Sequence, residues 1–292
     1  MLTGYPGIHV IVAINNKPEL VAQEIARLRE RWETQPVTFL HLGRNWGFAE
    51  GINRGMKACR RDYILVINDD AWVTPGAIFT IVDELAKAES NVAAVVPKVL
   101  LGDTSILDCV GAGMLPSGTI RNRGYGEVDR GQYDDVTDVL GACFVAVLLR
   151  RTAWQTVGPL WAPFFMYAED SDWSIRARLA GFRFLACPQA VVRHGHSLSA
   201  RTMATDWKWD LIARNSALVA VRCLPIGLAT HIALRRLMLD IRTFNGTGAK
   251  RAATFLRLLP RALVSRHSIR GIFRSTPVDL ALFDGAVVAM PS

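Results

Sequence analysis

The chain has 292 residues and a net charge of +8; half of its residues are hydrophobic and 21% are charged. This composition excludes a disordered chain, and the basic charge favours an anionic partner such as nucleotide phosphates, anionic lipid or nucleic acid. The five cysteines are odd in number and form no CxxC motif, which argues against a disulfide framework or a zinc site and favours a reducing compartment.

Strands and helices alternate through the first hundred residues. Apolar runs predict four strands, at 8–14, 37–42, 63–68 and 92–100. Helical spacing of apolar residues predicts three helices between them, at 18–33, 47–59 and 75–89. This alternation is typical of an α/β fold with a parallel-rich sheet, in which ligands bind beyond the carboxyl ends of the strands.

The middle of the chain is more irregular. Residues 101–140 are rich in Gly and Asp and predict a loop-rich segment with short strands. The pattern then predicts a buried strand at 139–151, a short helix at 152–158, a helix at 168–181 and a strand, turn and strand at 182–194. The helix at 168–181 has an acidic first turn and a basic later part, which matches the helix dipole.

Two long basic helices are predicted after Ala204, at 206–245 and 250–273. Between 221 and 276 there are eleven Arg and Lys residues and one acid, Asp240. Such helices suit an anionic membrane surface, and the alternative is a solvated basic face packed on the core. Sparse aromatic residues and the lack of a recognised motif argue against nucleic acid.

The termini and hydropathy favour a cytoplasmic protein that lies on a membrane and does not cross it. The first residues lack a basic segment followed by a long apolar stretch, so we predict no secretory signal. No window reaches the roughly 18 uninterrupted apolar residues of a spanning helix.

Polar clusters follow three of the predicted elements, at 68–70, 169–172 and 193–197. Each has a simple interpretation on its own: a polar turn, a helix cap or a surface histidine. However, a magnesium or manganese ion bound to a diphosphate needs only one or two carboxylates from the protein, and imidazole is a common ligand of transition metals. Asp70 and His194 are therefore candidate metal ligands if the fold brings them together.

A third carboxylate completes a possible reaction centre. Asp170 could take a proton from an attacking hydroxyl group, while the metal ion neutralises a leaving diphosphate. A general base together with a metal-held leaving group describes the transfer of an activated group to an alcohol.

Five stretches, in the same order, resemble the family 2 glycosyltransferases of GT-A fold, particularly their rhamnosyltransferase-like and galactofuranosyltransferase-like branch. The resemblance covers roughly residues 8–220, and Arg214-Asn215 matches a further pair in this branch. The five stretches are "RNWGFAEGINRG" (44–55), "LVINDDAWV" (65–73), "GACFVAVLLRR" (141–151), "PFFMYAEDSDWSIRARLAGF" (163–182) and "VVRHGHSLS" (191–199).

The resemblance implies a GT-A catalytic domain at 1–203, with a Rossmann-like, mostly parallel mixed sheet. The change of composition after Ala204 predicts that a basic amphipathic helical region at 204–292 follows it. It implies an inverting, Mg²⁺- or Mn²⁺-dependent transfer from a nucleotide-diphospho-sugar, with dTDP-rhamnose or UDP-galactofuranose as first candidates. The acceptor would be a hydroxyl group of a cell-envelope glycan or a lipid-linked acceptor at the inner face of the plasma membrane.

The resemblance also implies roles on the donor side. The residues that would shape or contact the nucleotide site are Asn15, Asn45, Gly47, Asn53, Asn68, Asp69 and Asp70. Glycines there would allow close approach of the backbone, and a helix N-terminus favours phosphate. Asp70 would bind the metal ion, and His194 would bind the metal or the diphosphate, with His196 as the alternative.

On the acceptor side, the resemblance implies that Asp170 is the catalytic base and that Glu169 orients the acceptor. Asp172 and Arg176 are four residues apart with opposite charges, so they are expected to stabilise the helix instead.

The family pattern begins with a strand that has no counterpart here. The strand at 8–14 fits the second strand of the pattern, so Asn15 falls where an aspartate recognises the base, and the first strand would lie upstream of Met1 or be lost. One alternative function is therefore a non-catalytic relative that binds nucleotide-sugars or glycans. Another is a sugar-nucleotide-forming transferase, but "INNKPEL" lacks the Gly-rich loop that it would need.

Overall fold

The computed structural model describes residues 5–114, 120–195, 205–242, 246–269 and 271. Its strands are β1 (Val10–Ile14), β2 (Val37–His41), β3 (Tyr63–Ile67), β4 (Ala71–Val73), β5 (Val92–Leu101), β6 (Leu107–Cys109), β7 (Ala112–Met114), β8 (Ile120–Asn122), β9 (Asp138–Val139), β10 (Ala146–Arg150) and β11 (Arg183–His194). Its α-helices are α1 (Pro18–Arg31), α2 (Phe48–Ala58), α3 (Ala77–Lys87), α4 (Arg151–Val157), α5 (Glu169–Leu179), α6 (Thr205–Cys223), α7 (Ile226–Arg242) and α8 (Gly246–Ile269).

A mixed sheet flanked by helices forms the centre of the molecule, as the sequence predicts. Its strand order is β3-β10-β5-β11-β4, with β6 paired to β5 and β9 paired to β11. Strand β10 runs antiparallel between β3 and β5, and β11 runs parallel to β5, so the strands β3, β5 and β11 share one direction. Their carboxyl ends therefore lie at one edge of the sheet, where an α/β fold places its ligands.

Strand β5 shows why this sheet forms the core. Nine of its ten residues are buried, as expected for a strand covered by helices on both faces. Val95 packs with Ile81 and Leu85 of α3, whereas its neighbours Ala94 and Val96 belong to the cluster around Trp173 of α5. The alternation of side chains along the strand thus joins the two helical layers.

Strands β1 and β2 form a separate parallel pair, with Val10 opposite Val37 and Ile14 opposite His41. Among the described strands, β1 bonds only to β2, and β3 bonds only to β10. All five residues of β1 are apolar, yet Ile14 alone is buried. One edge of the central sheet and one edge of this pair are therefore left without a neighbouring strand in the described part of the chain.

The C-terminal helices share a core with the sheet domain. Leu218 of α6 and Phe255 of α8 pack in one cluster with Leu140, Phe164 and Ile175. No helix of the described ranges is both long and apolar enough to cross a membrane.

Three predicted boundaries are wrong. The strand expected over 139–151 is divided between β9, which pairs with β11, and β10, which pairs with β3 and β5, so residues 140–145 lie between two strands. The helix expected over 206–245 breaks at Leu224-Pro225, because proline has no N–H group and clashes with the preceding turn. The strand, turn and strand expected at 182–194 are instead one continuous strand, β11. A register shift between Cys187 and Val191 absorbs Pro188, which cannot donate a ladder hydrogen bond.

Candidate functional site

The turn after β3 carries the first predicted cluster. The backbone N–H of Ala71 donates to the carbonyl of Asn68, which closes the turn, and β4 then pairs antiparallel with the end of β11. This pairing sets His194 opposite Ala71, and the N–H of Gly195 donates to the carbonyl of Asp70 at 2.7 Å. Residues more than a hundred positions apart are thereby brought together.

Asp70 and His194 meet as predicted. Nε2 of His194 lies 3.2 Å from Oδ1 of Asp70, and Nδ1 lies 2.7 Å from Oδ2 of Asp108. Burial lowers the pKa of His194, but its hydrogen bonds with the two carboxylates and their negative charges outweigh burial and raise that pKa. Asp108 was not predicted; the one signal for it is a buried acid within the apolar strand β6.

The residues present fit a divalent cation that shares its coordination with a ligand. A carboxylate on Nδ1 is the usual partner of a metal-binding histidine, and it directs Nε2 towards Asp70. Oδ1 of Asn68 is buried and has no hydrogen-bond partner in the protein. The described residues contain no group of three or more His, Cys, Asp or Glu side chains that could hold a metal ion. The ion would therefore need oxygen atoms from a bound ligand, as Mg²⁺ does with phosphates.

Glu169 and Asp170 open helix α5. Glu169 is buried, its Oε2 has no hydrogen-bond partner, and burial together with the nearby Asp170 raises its pKa well above the usual range. Burial also raises the pKa of Asp170, although hydrogen bonds from Ser171 to its Oδ1 oppose this effect. The hydrogen bonds favour the charged form of Asp170, so of the two it is better suited to accept a proton at neutral pH.

The loop before α5 has an unusual backbone. Phe165, Tyr167 and Ala168 all have φ between 66° and 70°, a left-handed conformation that costs a non-glycine residue about 1–3 kcal/mol. Nδ2 of Asn215 on α6 lies 2.8 Å from the carbonyl oxygens of Met166 and Tyr167 and 3.1 Å from that of residue 164. Asn215 therefore holds the segment, called here the 164–168 loop, that positions Glu169 and Asp170.

Four residues expected near the nucleotide hold backbone segments of the protein in place. Gly47 has φ +81°, and a Cβ there would lie 2.4 Å from the carbonyl oxygen of Phe165, so its close approach is to the 164–168 loop. Asn15 donates to the carbonyl of Gly47 and accepts from the N–H of residue 46, both at 2.8 Å. Asn45 accepts from the N–H of Gly47, and Asn53 bonds both backbone groups of residue 160.

One cavity of about 3020 Å³ joins the predicted clusters. Among the predicted site residues, Asn45, Gly47 and Asn53 do not line it. The cavity is also lined by five Arg and Lys side chains that were not predicted: Arg60, Arg61, Arg121, Arg123 and Lys208. The predicted site residues that do line the cavity are Asn15, Asn68, Asp69, Asp70, Glu169, Asp170 and His194. A cavity with a cation-binding corner, basic residues and a carboxylate base can bind an anionic donor and deprotonate a hydroxyl group. His196 lies outside the described residues.

Comparisons with known proteins agree with the fold. The crystal structure of GalNAc-T7 with UDP, GalNAc and Mn²⁺ matches with a TM-score of 0.59 and 11% identity, over 84% of this chain and 47% of that one. The crystal structure of S. aureus TarS matches with a TM-score of 0.50 and 12% identity, over 96% of this chain and 50% of that one. The chain thus spans about half the length of each, and the likeness shows a GT-A fold. No match was found among the curated proteins.

A family model covers a little more than half of the chain. It is described as "Glycosyl transferase family 2" and matches residues 2–154. The match includes the first two strands, the Asn68–Asp70 turn and Asp108, and α5 follows it. On this match, the chain belongs to glycosyl transferase family 2.

Proposed function

We propose that the protein is a metal-dependent glycosyltransferase that moves a sugar from a nucleotide-diphospho-sugar to a hydroxyl group of an acceptor. The observation that carries this proposal is that one cavity is lined both by the Asp70–His194 pair and by the Glu169–Asp170 pair. The alternative activity of a sugar-nucleotide-forming transferase has no supporting observation in this cavity.

We call the part of the cavity around Asp70, Asp108 and His194 the donor corner. Its side chains would have different roles. A Mg²⁺ or Mn²⁺ ion held by Asp70 and His194 would neutralise the negative charge of the leaving diphosphate. Asp108 fixes the tautomer and the orientation of His194 through the 2.7 Å hydrogen bond. Arg121, Arg123 and Lys208 line the same cavity and supply further positive charge for an anionic donor.

We call the part of the cavity around Glu169 and Asp170 the acceptor corner, and it would supply the catalytic base. Asp170 takes the proton of the acceptor hydroxyl, whose oxygen then attacks the anomeric carbon from the face opposite the diphosphate, so the configuration inverts and one base suffices. Glu169 has a strongly raised pKa, so its protonated form can donate a hydrogen bond that orients the acceptor or Asp170.

The finer identity of donor and acceptor rests on the sequence resemblance. It favours dTDP-rhamnose or UDP-galactofuranose as the donor and a cell-envelope glycan or lipid-linked hydroxyl as the acceptor. UDP is also the nucleotide bound in the GalNAc-T7 structure, which makes UDP-sugars the first donors to test.

The exposed faces of α7 and α8 support a peripheral position on the inner face of the plasma membrane. Large apolar side chains are exposed beside basic ones, including Arg235, Arg257 and Arg261. The exposed apolar residues are Ile226, Leu228, Leu234, Met238, Leu239, Leu256, Leu263 and Val264. Apolar area plus basic charge is the combination that binds anionic lipid surfaces.

The test is donor turnover by matched variants. Hydrolysis of UDP-, dTDP- and GDP-sugars is measured with and without Mn²⁺ for the wild type, Asp70→Asn, Asp170→Asn and Asp83→Asn, the last being an exposed control on α3. We expect turnover of one donor class that requires metal, a loss of about 100-fold or more in the first two variants and none in the control.

Wild-type rates in Asp70→Asn or Asp170→Asn would overturn the residue assignment. Thermal stabilisation by a donor without any turnover would instead identify a non-catalytic nucleotide-sugar-binding relative.

A further inference from the structure

The first half of helix α6 forms one wall of the cavity. Five of its side chains line the cavity, and we call them the α6 wall: Lys208, Trp209, Ile212, Ser216 and Val219. From Trp209 onwards they follow a spacing of three, four and three residues, which places them on one face of the helix. Apart from Lys208, this face has no part in the proposed donor corner, so its ligand is still to be assigned.

The α6 wall adjoins the acceptor corner. Nδ2 of Asn215 on α6 lies 2.8 Å from the carbonyl oxygen of Tyr167, and Nζ of Lys208 lies 5.8 Å from the centre of the Tyr167 ring. Tyr167 itself lines the cavity and lies two residues before Glu169. The wall therefore continues the surface on which an acceptor hydroxyl group would meet its base.

Trp209 is the most unusual residue of this wall. Its side chain is 59% exposed, whereas tryptophan is highly buried on average in folded proteins. The exposed indole ring lines the cavity and does not belong to any of the apolar core clusters of the described residues. An aromatic side chain open to a cavity, with polar groups around it, is typical of a ligand-binding surface.

Glu169 supplies an independent observation that points to a ligand. Its side chain lines the cavity and is 5% exposed, and its Oε2 atom has no hydrogen-bond partner in the protein. A buried carboxyl group without a partner is costly, and a ligand hydroxyl group that bonds to it would remove this cost. The acceptor corner therefore has an unused hydrogen-bonding group at one end of the α6 wall.

We propose that the α6 wall is an acceptor subsite for a carbohydrate of at least two sugar residues. The terminal residue presents one hydroxyl group to Asp170 and hydrogen-bonds to Glu169 through another. The preceding residue stacks on the indole ring of Trp209, because the C–H groups on one face of a sugar ring are attracted to the negative face of an aromatic ring. This inference rests on the proposed function and adds to it the class of the acceptor.

The distance along α6 sets the minimum size of the acceptor. Trp209 lies six residues before Asn215, which is about 9 Å along the helix axis. Asn215 contacts the loop that leads into Glu169 and Asp170, and helical side chains point back towards the N-terminus, which carries the indole ring farther from that loop. One sugar ring is too short to reach Asp170 and Trp209 together, so a second sugar residue is needed.

The composition of the wall favours a carbohydrate over an acyl or isoprenoid chain. The ammonium group of Lys208 and the hydroxyl group of Ser216 interrupt its apolar side chains, and the carboxyl group of Glu169 follows at the acceptor corner. A hydrocarbon chain would cover these polar groups without giving them hydrogen bonds, which is costly. A sugar residue offers C–H faces and hydroxyl groups together and therefore matches both parts of the wall.

Transfer kinetics of matched tryptophan variants test this inference. Trp207 lies on the same helix and is 41% exposed, but it does not line the cavity, so Trp207→Ala is the control. The radiolabelled UDP-, dTDP- or GDP-sugar that the wild type hydrolyses is supplied with increasing amounts of a total envelope extract of the source cells. Trp209→Ala should raise the extract concentration for half-maximal transfer by about 10-fold or more, and Trp209→Tyr should recover most of the wild-type value. Trp207→Ala should change neither transfer nor donor hydrolysis.

Wild-type transfer kinetics in Trp209→Ala would overturn this inference and leave the proposed function standing. An equal loss of transfer and of donor hydrolysis in Trp209→Ala would show a structural role and would also overturn it. Mass spectrometry of the wild-type product should show the labelled sugar joined to at least two sugar residues, and a label on a single sugar residue or on a non-carbohydrate hydroxyl group would contradict the proposed acceptor. Absence of donor turnover by the wild type would instead overturn the proposed function, and this inference with it.

Discussion

Asp172 is fully buried between two arginines, and the sequence predicted one of them. The i,i+4 spacing predicted the pair with Arg176, whose Nε lies 2.8 Å from Oδ2 of Asp172. Arg222 of α6 adds a second ion pair at 2.7 Å, across 50 positions of sequence. Burial raises the pKa of Asp172, but the charges of Arg222 and Arg176 outweigh it and lower that pKa to about 2.

Asp172→Asn should therefore destabilise the protein strongly. Removing one partner of a buried ion pair leaves an uncompensated charge and costs about 3–5 kcal/mol of the free energy of unfolding. Urea denaturation measures this change, and the exposed Asp83→Asn should change the free energy by less than about 0.5 kcal/mol. Equal stabilities of the two variants would contradict the structural role of Asp172.

The lowered pKa of Asp172 predicts that the stability of the folded protein depends on pH. Because the pKa of Asp172 falls from 3.8 to about 2 on folding, its stabilisation is complete above the unfolded value and is lost as pH falls from about 4 to about 2. The contribution is about 2.5 kcal/mol. The stability gap between the wild type and Asp172→Asn should narrow over this range, and a gap that is constant between pH 6 and the acid transition would contradict the prediction.

The structure brings Asp70 and His194 together, as their proposed role as metal ligands requires, whereas Asp108 was not predicted. Clusters at strand ends could be predicted to converge, because the carboxyl ends of strands in one direction meet at one edge. Asp108 follows no such rule, since it lies in a short strand of the irregular segment and meets His194 through tertiary pairing alone. Asn215 was matched to the family pattern, but its contacts with the 164–168 loop depend on how α6 packs and could not be predicted.

At the scale of elements, the 164–168 loop is the part of the site under most strain. Its left-handed residues persist because Asn215 binds three of its carbonyl oxygens and because Gly47 lets α2 approach it. The loop leads directly into Glu169 and Asp170, so a change in the loop should displace these two side chains.

Asn215→Ala should lower kcat by about 10- to 100-fold, with little change in the KM for the donor. A displacement of the base by about 1 Å is enough for such a loss, while the donor corner at Asp70 does not touch Asn215. Steady-state kinetics measure kcat and KM separately, and a melting curve on the same preparation measures stability. Asn91→Ala is an exposed control. Parallel losses in kcat and in the affinity for donor would show a general structural role instead.

The exposed faces of helices α7 and α8 lead to a prediction about membrane binding. If their exposed apolar and basic faces lie on lipid, the protein should bind vesicles that contain anionic phospholipid and leave them as salt rises, because the Debye length shrinks. Replacing both Leu263 and Val264 by Ser should weaken binding by about 10-fold or more, since about 1–2 kcal/mol of apolar burial per residue is lost. Co-sedimentation that is independent of salt, or absent, would contradict this prediction.

At the scale of the whole molecule, the α/β architecture could be predicted because strands and helices alternate with clear apolar periods. The long helix over 206–245 was mispredicted although Pro225 was visible, since apolar periodicity continues on both sides of it. The separation of β1 and β2 from the central sheet could not be derived from periodicity, which identifies strands but not which edges pair.

The whole-molecule arrangement also bears on the proposed metal site. If Asp70 and His194, which lie 3.2 Å apart, hold a divalent cation as proposed, they would supply two ligands, and oxygen atoms of a bound diphosphate would supply others. The metal ion and the nucleotide should then each increase the affinity of the protein for the other.

The central claim is tested most directly by measuring Mn²⁺ binding with and without UDP, dTDP or GDP, in the wild type and in Asp70→Asn. For the wild type, one of these nucleotides should tighten Mn²⁺ binding by about 10-fold or more, and Mn²⁺ should tighten that nucleotide by the same factor, whereas Asp70→Asn should lose this coupling. Equal Mn²⁺ affinity in both proteins, with no effect of any nucleotide, would contradict a donor site built on Asp70 and His194.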